Sequence, residues 1–314
     1  MKLNLRSLPV FALAISAAFT ACKKDNSTNT TDPDPAVEVQ AHADDQSRIS
    51  GDMDDATNEV NVALEGTPSF SGGRVQGGQN VNSFCGATAT VDTSNNTWKI
   101  TIAYNGNDCS NLHFRTGTIV VSTPAGTHWK NAGAAVTVSF QNYKVKRLSD
   151  NKSVTFNGTH TYTNVSGGLL INLANMQNIT HTITSNDMSI TFDDNTQRTW
   201  QVARKRVFTY NNGIVMAIHG IGTNGSAANA AEWGMNRFGH PFTTSITQPL
   251  VFRQDCNGRL TEGEIKHQGF ATSTMKFGLN ASGAPTACPG NGNYYYRLTW
   301  TGPSGNSASV LLPY

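Results

Sequence analysis

Two short stretches of this chain carry residue types at spacings that could do chemistry. In 198–210 (RTWQVARKRVFTY), strand alternation places Trp200, Val202, Arg204, Arg206, Phe208 and Tyr210 on one face and Lys205 on the other. Guanidinium groups flanked by aromatic rings can grip a carboxylate, a phosphate or a sugar. The same pattern also arises when the rings lie in a core and the arginines extend along it to solvent, and that structural reading is the more economical one. The stretch 231–242 (AEWGMNRFGHPF) repeats the combination, with Trp233, Arg237 and His240 near Gly234 and Gly239. Trp200, Arg204, Arg206, Trp233, Arg237 and His240 are therefore the candidate ligand contacts.

Acids offer a second chemistry. Glu262 and Glu264 share one face of an expected strand, roughly 7 Å apart, a separation close to that of glycosidase carboxylate pairs. Asp193 and Asp194 are adjacent, but with Asn195 they occupy an expected turn, where Asp and Asn are favoured for backbone reasons. A third acidic group, Asp52, Asp54, Asp55 and Glu59, fails as a calcium loop begun at Asp52. Its sixth position is Thr57 instead of Gly and its twelfth is Ala63 instead of Glu, so it reads as the solvated face of a helix. The eight histidines (His42, His113, His128, His160, His181, His219, His240 and His267) are scattered over different expected elements, as structural or surface histidines usually are. The sequence contains no zincin, nucleophile-elbow, Walker or dinucleotide motif. No catalytic residue, metal ligand or cofactor is assigned.

Those groups need a scaffold, and composition bounds it. Charged residues make up 14% of 314 residues, well under the roughly 25% of ordinary soluble domains. The formal net charge is only +2, so no global field draws in nucleic acid. Of the five cysteines, Cys85, Cys109, Cys256 and Cys288 read as two disulfides, with three possible connectivities. A hairpin turning at 94–97 pairs positions that sum to about 191, which puts Cys85 opposite Gly106 and within a short loop of Cys109. The expected bridges are thus Cys85 with Cys109 and Cys256 with Cys288; the spacings do not suit a metal site.

Helical periodicity is confined to residues 44–64, where Ile49, Met53, Ala56, Val60 and Ala63 form one stripe behind a cap at Asp44 or Asp45. Beyond a Gly-, Ser- and Gln-rich loop at 66–82, period-two runs follow one another, the clearest hairpin turning on Asn211-Asn212-Gly213. Segments 141–163 and 177–199 align at a shift of 36 and read as a duplicated hairpin. The expected fold is all-β: an antiparallel sandwich or strongly curved meander of about a dozen strands, with one N-terminal amphipathic helix packed across a face or an open edge. Tyr314 offers a terminal aromatic like that of a membrane barrel, but Pro313 and strands charged on both faces argue against one.

The first 26 residues set the address. Lys2 and Arg6 precede an apolar run at 8–19 too short to remain as a membrane span, and Thr20 and Ala21 lead into Cys22. Phe19-Thr20-Ala21-Cys22 resembles the lipobox of bacterial lipoproteins, which implies acylation of Cys22 and removal of the leader ahead of it. Cys22-Lys23-Lys24-Asp25 resembles the start of Bacteroidota lipoproteins, which implies display on the outer face of the outer membrane. Ala43-Asp44-Asp45-Gln46, the run Trp200 to Arg206 and the run Glu232 to Gly239 are similar to segments of a Bacteroidota lipoprotein family to which no activity attaches. The expected organisation is a signal peptide at 1–21, a lipidated disordered tether at 22–40, a helix at 41–65 and a β-rich domain at 66–314 with a possible subdivision near 222–231. Function is expected to be binding or structural at the cell envelope, with a glycan or an envelope protein as partner and the membrane engaged through lipid. The alternatives are an envelope glycan hydrolase and an assembly subunit that pairs through an exposed strand edge.

Overall fold

The computed structural model describes residues 35–72, 84–269, 271–286, 288, 292–301 and 306–314. The leader, Cys22 and most of the expected tether lie outside them. The described residues form the helix α1 (Pro35–Gly66), a single turn α2 (Pro68–Ser71), and fifteen strands joined in one antiparallel sheet. These are β1 (Ala87–Asp92), β2 (Thr97–Asn107), β3 (His113–Pro124), β4 (Ala134–Arg147), β5 (Ser153–Asn164), β6 (Ile179–Phe192), β7 (Gln197–Tyr210), β8 (Ile214–Gly220), β9 (Gly222–Asn224), β10 (Ala227–Met235), β11 (Pro241–Arg253), β12 (Arg259–Gln268), β13 (Thr272–Leu279), β14 (Tyr295–Thr301) and β15 (Ser307–Pro313). The architecture is therefore the curved meander, with β1 and β15 at its two ends.

Local sequence explains most of the ladder. β1 and β2 pair in the expected register, from Ala87 with Tyr104 to Asp92 with Lys99. Both expected disulfides form, Cys85–Cys109 with Cα atoms 5.1 Å apart and Cys256–Cys288 with Cα atoms 5.6 Å apart.

Three expectations are corrected. The helix spans Pro35–Gly66, starting six residues before the expected 41 and fourteen before Ile49, the first residue of the apolar stripe, so the expected tether at 22–40 is too long. Asp44 and Asp45 are not caps; Asp45 bonds to Arg237 and Asp44 faces Arg147 at 3.7 Å. The second half of the supposed duplicated hairpin is one strand, β6, whose residues Ser185 to Met188 bulge instead of turning. Asp187 in that bulge accepts from the Thr159 amide at 3.0 Å and the Thr159 hydroxyl at 2.9 Å, which anchors it to β5 and satisfies the freed donor.

That bulge is one of a row. Irregularities fall at Gly117 in β3, Asn142 in β4, Gly158 in β5 and Asp187 in β6, on successive strands. Gly117 has φ +91°, and a Cβ there would lie 2.0 Å from the Asn142 carbonyl oxygen; Gly158 has φ +123° and meets the Asp187 oxygen at 2.7 Å. Asn142 donates its own amide to Asn157 Oδ1 at 2.8 Å. A diagonal line of bulges bends the sheet, because each adds local twist.

The bend wraps the sheet around α1. Arg48 reaches the Val145 carbonyl on β4, Thr57 meets Tyr162 on β5, Asp54 meets β7, and Glu59 meets Tyr104 on β2 and Arg115 on β3. At 100° per residue these contacts occupy about 240° of the helix circumference. Ile49, Met53, Ala56, Val60, Ala63 and Leu64 are at most 2% exposed, in one core with residues of β1 to β7 and Phe242.

The stretch 222–231, expected as a connection, is β9 and the first half of β10. β10 and β8 lie end to end between the long strands β7 and β11, and both pair with each. The sheet thus continues through this region. From β11 to β15 it is a single amphipathic layer: Ile246, Ile265, Met275, Leu298 and Val310 pair in one apolar row, while Lys266, Thr274, Thr299 and Ser309 form the adjacent polar row.

Candidate functional site

Five of the six candidate contacts converge, but on the helix. Inward alternation of β7 is as expected, yet the arginines follow the aromatics inside because α1 presents acids to them. Arg206 donates to Asp54 Oδ1 at 2.6 Å and Arg204 to the same oxygen at 3.4 Å, while Arg204 also pairs with Glu232 at 3.1 Å. The Trp200 indole donates to the second oxygen of Glu232 at 2.5 Å. Arg237 grips Asp45 through two bonds of 2.7 and 2.5 Å, contacts Asp194 at 3.2 Å, and lies 3.6 Å over the Phe192 ring. His240 Nδ1 is 2.7 Å from Glu38, which also accepts from Asn236 at 2.8 Å. Trp233 is not part of this group: its neighbour Glu232 faces the helix, so alternation turns Trp233 to the other face of the sheet, against Gly222.

The acids on α1 are therefore not a solvated face. Asp52 is buried, with Arg48 at 3.9 Å, and burial pushes its carboxyl up to about 6. Asp55 is raised to about 7, first by burial and then by the neighbouring charges of Asp52, Asp54 and Glu59. Glu232 is fully enclosed, which opposes its ionisation, but Arg204 and Arg198 beside it hold it below the usual carboxylate range.

Sequence reasoning missed Arg198, Glu232, Gln46 and the histidines packed around them. Gln46 bonds to Glu232 and accepts from Arg198 Nη2 at 2.5 Å, and Arg198 stacks 4.1 Å over Phe242. His42 lies between Phe242 and His267, with ring centroids 5.0 and 4.7 Å away, and His267 is tied to the Thr244 hydroxyl at 3.0 Å. Burial, with Arg198 close by, lowers His42 to about 2 and His267 to about 4, so both stay neutral. The available signal was the economy of charge: in a chain so poor in charged residues, acids gathered on one helix and arginines on the inward face of one strand are matched sets.

The acid pairs of the hydrolase alternative are engaged separately. Asp194 caps its own turn through Thr196, at 3.0 Å to the amide and 2.5 Å to the hydroxyl. Glu264 accepts from the Thr247 hydroxyl at 2.7 Å, and Glu262 is exposed opposite Val251.

A second site lies at the far end of the sheet, where β12 and β14 begin. Asp255, Cys256, Asn257, Arg259, Cys288, Gly292, Asn293 and Tyr294 line a half-open pocket of about 290 Å³. The bridge Cys256–Cys288 forms part of its wall. Asn257, in the left-handed conformation at φ 60°, turns the chain from the short helical turn Gln254–Cys256 into β12. Arg253 takes both oxygens of Asp255, at 3.0 and 2.7 Å. Arg259 lies 5.5 Å over the Tyr294 ring and forms no hydrogen bond or ion pair with any described residue. Among the described residues, Asp255, Cys256 and Cys288 are also the one group close enough to hold a metal ion, but their two sulfurs are already bonded to each other.

No protein-family model matches this chain, and no curated protein or solved structure matches it.

Proposed function

We propose that this chain is a lipid-anchored binding module of the cell envelope, acylated at Cys22 and displayed on the outer membrane. The observation that carries the binding reading is the division of its polar groups. Trp200, Arg204, Arg206, Arg237 and His240 are consumed in holding α1 to the sheet, whereas the pocket beside Cys256–Cys288 keeps Arg259, which stacks on Tyr294 but has no hydrogen-bond or ion-pair partner among the described residues. A rigid wall, an open mouth and uncommitted donors suit recognition of a small polar ligand. The anchor reading rests on the sequence around Cys22, with residues 23–34 as spacer.

Two measurements test it. Metabolic labelling with an acyl-chain analogue should mark the native protein and not the Cys22→Ser variant; equal labelling of both sinks the anchor. A thermal-shift screen against envelope and dietary glycans tests the binding. A ligand at 100 times its Kd adds about 2.7 kcal/mol, or roughly 5 to 10 °C for a chain of this size. Absence of any shift across soluble glycans removes the small-ligand reading.

One observation favours a second reading, assembly through a strand edge. β15 ends the sheet, and its residues Ser307–Pro313 (SASVLLP) carry no charge, the device that usually protects such an edge. Concentration-dependent self-association that Ser309→Lys abolishes would support it; a monomer at all concentrations would remove it.

A further inference from the structure

We infer that the pocket beside the Cys256–Cys288 bridge is a binding site for a single hydroxylated carboxylate, such as a uronic acid residue of an acidic glycan. This rests on the binding reading above and names the ligand class. The charge balance of the lining fixes the sign. Asp255 is neutralised by a two-bond contact with Arg253, which leaves Arg259 as the uncompensated charge. A guanidinium pairs best with a planar, bidentate acceptor, and a carboxylate is the smallest such group. Cation–π contact with Tyr294 supports the Arg259 head from one side without consuming its N–H donors.

The remaining lining sets the rest of the ligand. Asn257 and Asn293 are exposed at the mouth, and neither side chain is bonded to a described residue, so two amides offer both donors and acceptors. Such groups match ring hydroxyls, which also need both. Size excludes larger ligands: about 290 Å³ is at the bottom of the roughly 300–1,000 Å³ range of small-molecule pockets, enough for one sugar ring. An extended glycan would therefore place one acidic unit here and run its neighbours over the exposed surface around Asn257 and Asn293.

The full-length chain with its disulfides intact should be titrated calorimetrically with glucuronate, galacturonate, glucose and acetate. The uronates are expected to bind, with glucose and acetate each at least tenfold weaker, because each lacks one half of the recognised group. Arg259→Ala should weaken uronate binding at least tenfold while the melting midpoint stays within a few degrees; Arg259→Lys, which keeps the charge but loses the fork, should fall between. Asn293→Ala should weaken the uronate but leave acetate unchanged. If uronates bind equally well to Arg259→Ala, the assignment to this pocket is wrong. If glucose binds as tightly as glucuronate, the acidic class is wrong and the binding-module reading stands. If uronates fail at tens of millimolar while a neutral glycan shifts the melting transition, the inference alone falls; failure of every glycan takes the module reading with it.

Discussion

The two halves of this one sheet solve the problem of a buried face differently. From β1 to β7 and across β10, the inner face closes on a helix, and Ile100, Ile102, Ile119, Val121 and Val138 are fully buried. Beyond the contact of His42 with Phe242 and His267, no described helix covers β11 to β15: Met275, Leu298 and Val310 are only half-buried, although they stand in the same kind of alternating strand. The first half also carries its charges inside, and the second keeps Arg259, Lys266, Lys276 and Arg297 outside its core. Alternation is thus a statement about which residues share a face. How large a core that face builds depends on a second layer: one 32-residue helix supplies it for the first half, while the second keeps a smaller cluster around Leu260, Phe277 and Tyr296. The half with rigid internal commitments has little polar chemistry left to offer a ligand; the thin half, fixed by a disulfide, has an open pocket.

The sharpest way to break this comparison is to remove one buried charge from the first half. Glu232→Ala would leave Arg198 and Arg204 enclosed without their shared carboxylate, and losing one partner of a buried pair costs about 3 to 5 kcal/mol. Glu264→Ala in the second half removes only an exposed bond to Thr247 and should stay within about 0.5 kcal/mol. Denaturant midpoints followed by circular dichroism would show the contrast; equal small effects would mean that water reaches Glu232.

Removing the bridges gives the next largest effect. The two close loops of similar length, with separations of 24 and 32 residues, so chain entropy alone assigns each about 3 to 4 kcal/mol. Their consequences should nevertheless differ. Cys85–Cys109 ties onto the helix-filled half, since Arg115 joins the Cys85 carbonyl at 2.9 Å to Glu59 on α1 at 2.8 Å. Its loss, in a Cys85→Ser, Cys109→Ser variant, should lower the main transition. Loss of Cys256–Cys288 should instead let the thin half open by itself, giving early proteolysis within β12 to β15 and a protected fragment ending near β11. A single shared transition for both variants would show that the halves unfold as one unit.

Much of this was legible in the sequence, and the failures share a cause. Strand positions, the β1–β2 register, both bridges and the apolar stripe of α1 depend on local periodicity and turn chemistry, which a sequence states directly. The stripe stops being informative where the helix meets the sheet through charge: Asp54 looks like a solvent-facing acid and Asp45 like a helix cap until β7 and the turn after β10 arrive with Arg204, Arg206 and Arg237. The first turns of α1 were missed for the same reason, since Glu38 and His42 are buried by partners some 200 residues away, Asn236, His240 and Phe242. Segment 185–188 stands at the turn of the supposed second hairpin and is a bulge, because Asp187 bonds across to Thr159 as well as to Ser185 beside it. Arg259 gave no signal at all, because an unpaired arginine is defined by what fails to reach it.

The last contrast is one of pH, and most of the groups that set it lie in or against the first half. Burial holds His42 near 2, His160 and His181 near 3, and His267 near 4, all below the ordinary 6.5. Their folded pKa values are depressed, so the unfolded chain takes up protons first, and stability falls as pH drops below about 6.5 toward 4. Asp52 and Asp55 oppose this, because carboxyls raised to about 6 and about 7 stabilise the fold at low pH and lose that contribution as pH rises through those values. At pH 5 these four rings outweigh these two acids by roughly two protons, so the net linkage lowers stability as pH falls. The melting midpoint should therefore drop between pH 7 and pH 5. His160 provides the specific check. Its ring stands edge-on to Phe140 at 5.1 Å and beside Trp200 at 5.8 Å, and neither nitrogen has a hydrogen-bond partner among the described residues. It acts there as an aromatic ring, so His160→Phe should preserve the packing, change stability at pH 7 by less than about 1.5 kcal/mol, and reduce the slope near pH 5 by about one proton. An unchanged slope would mean that His160 is already protonated in the fold, and that the interior of the first half is wetter than its packing implies.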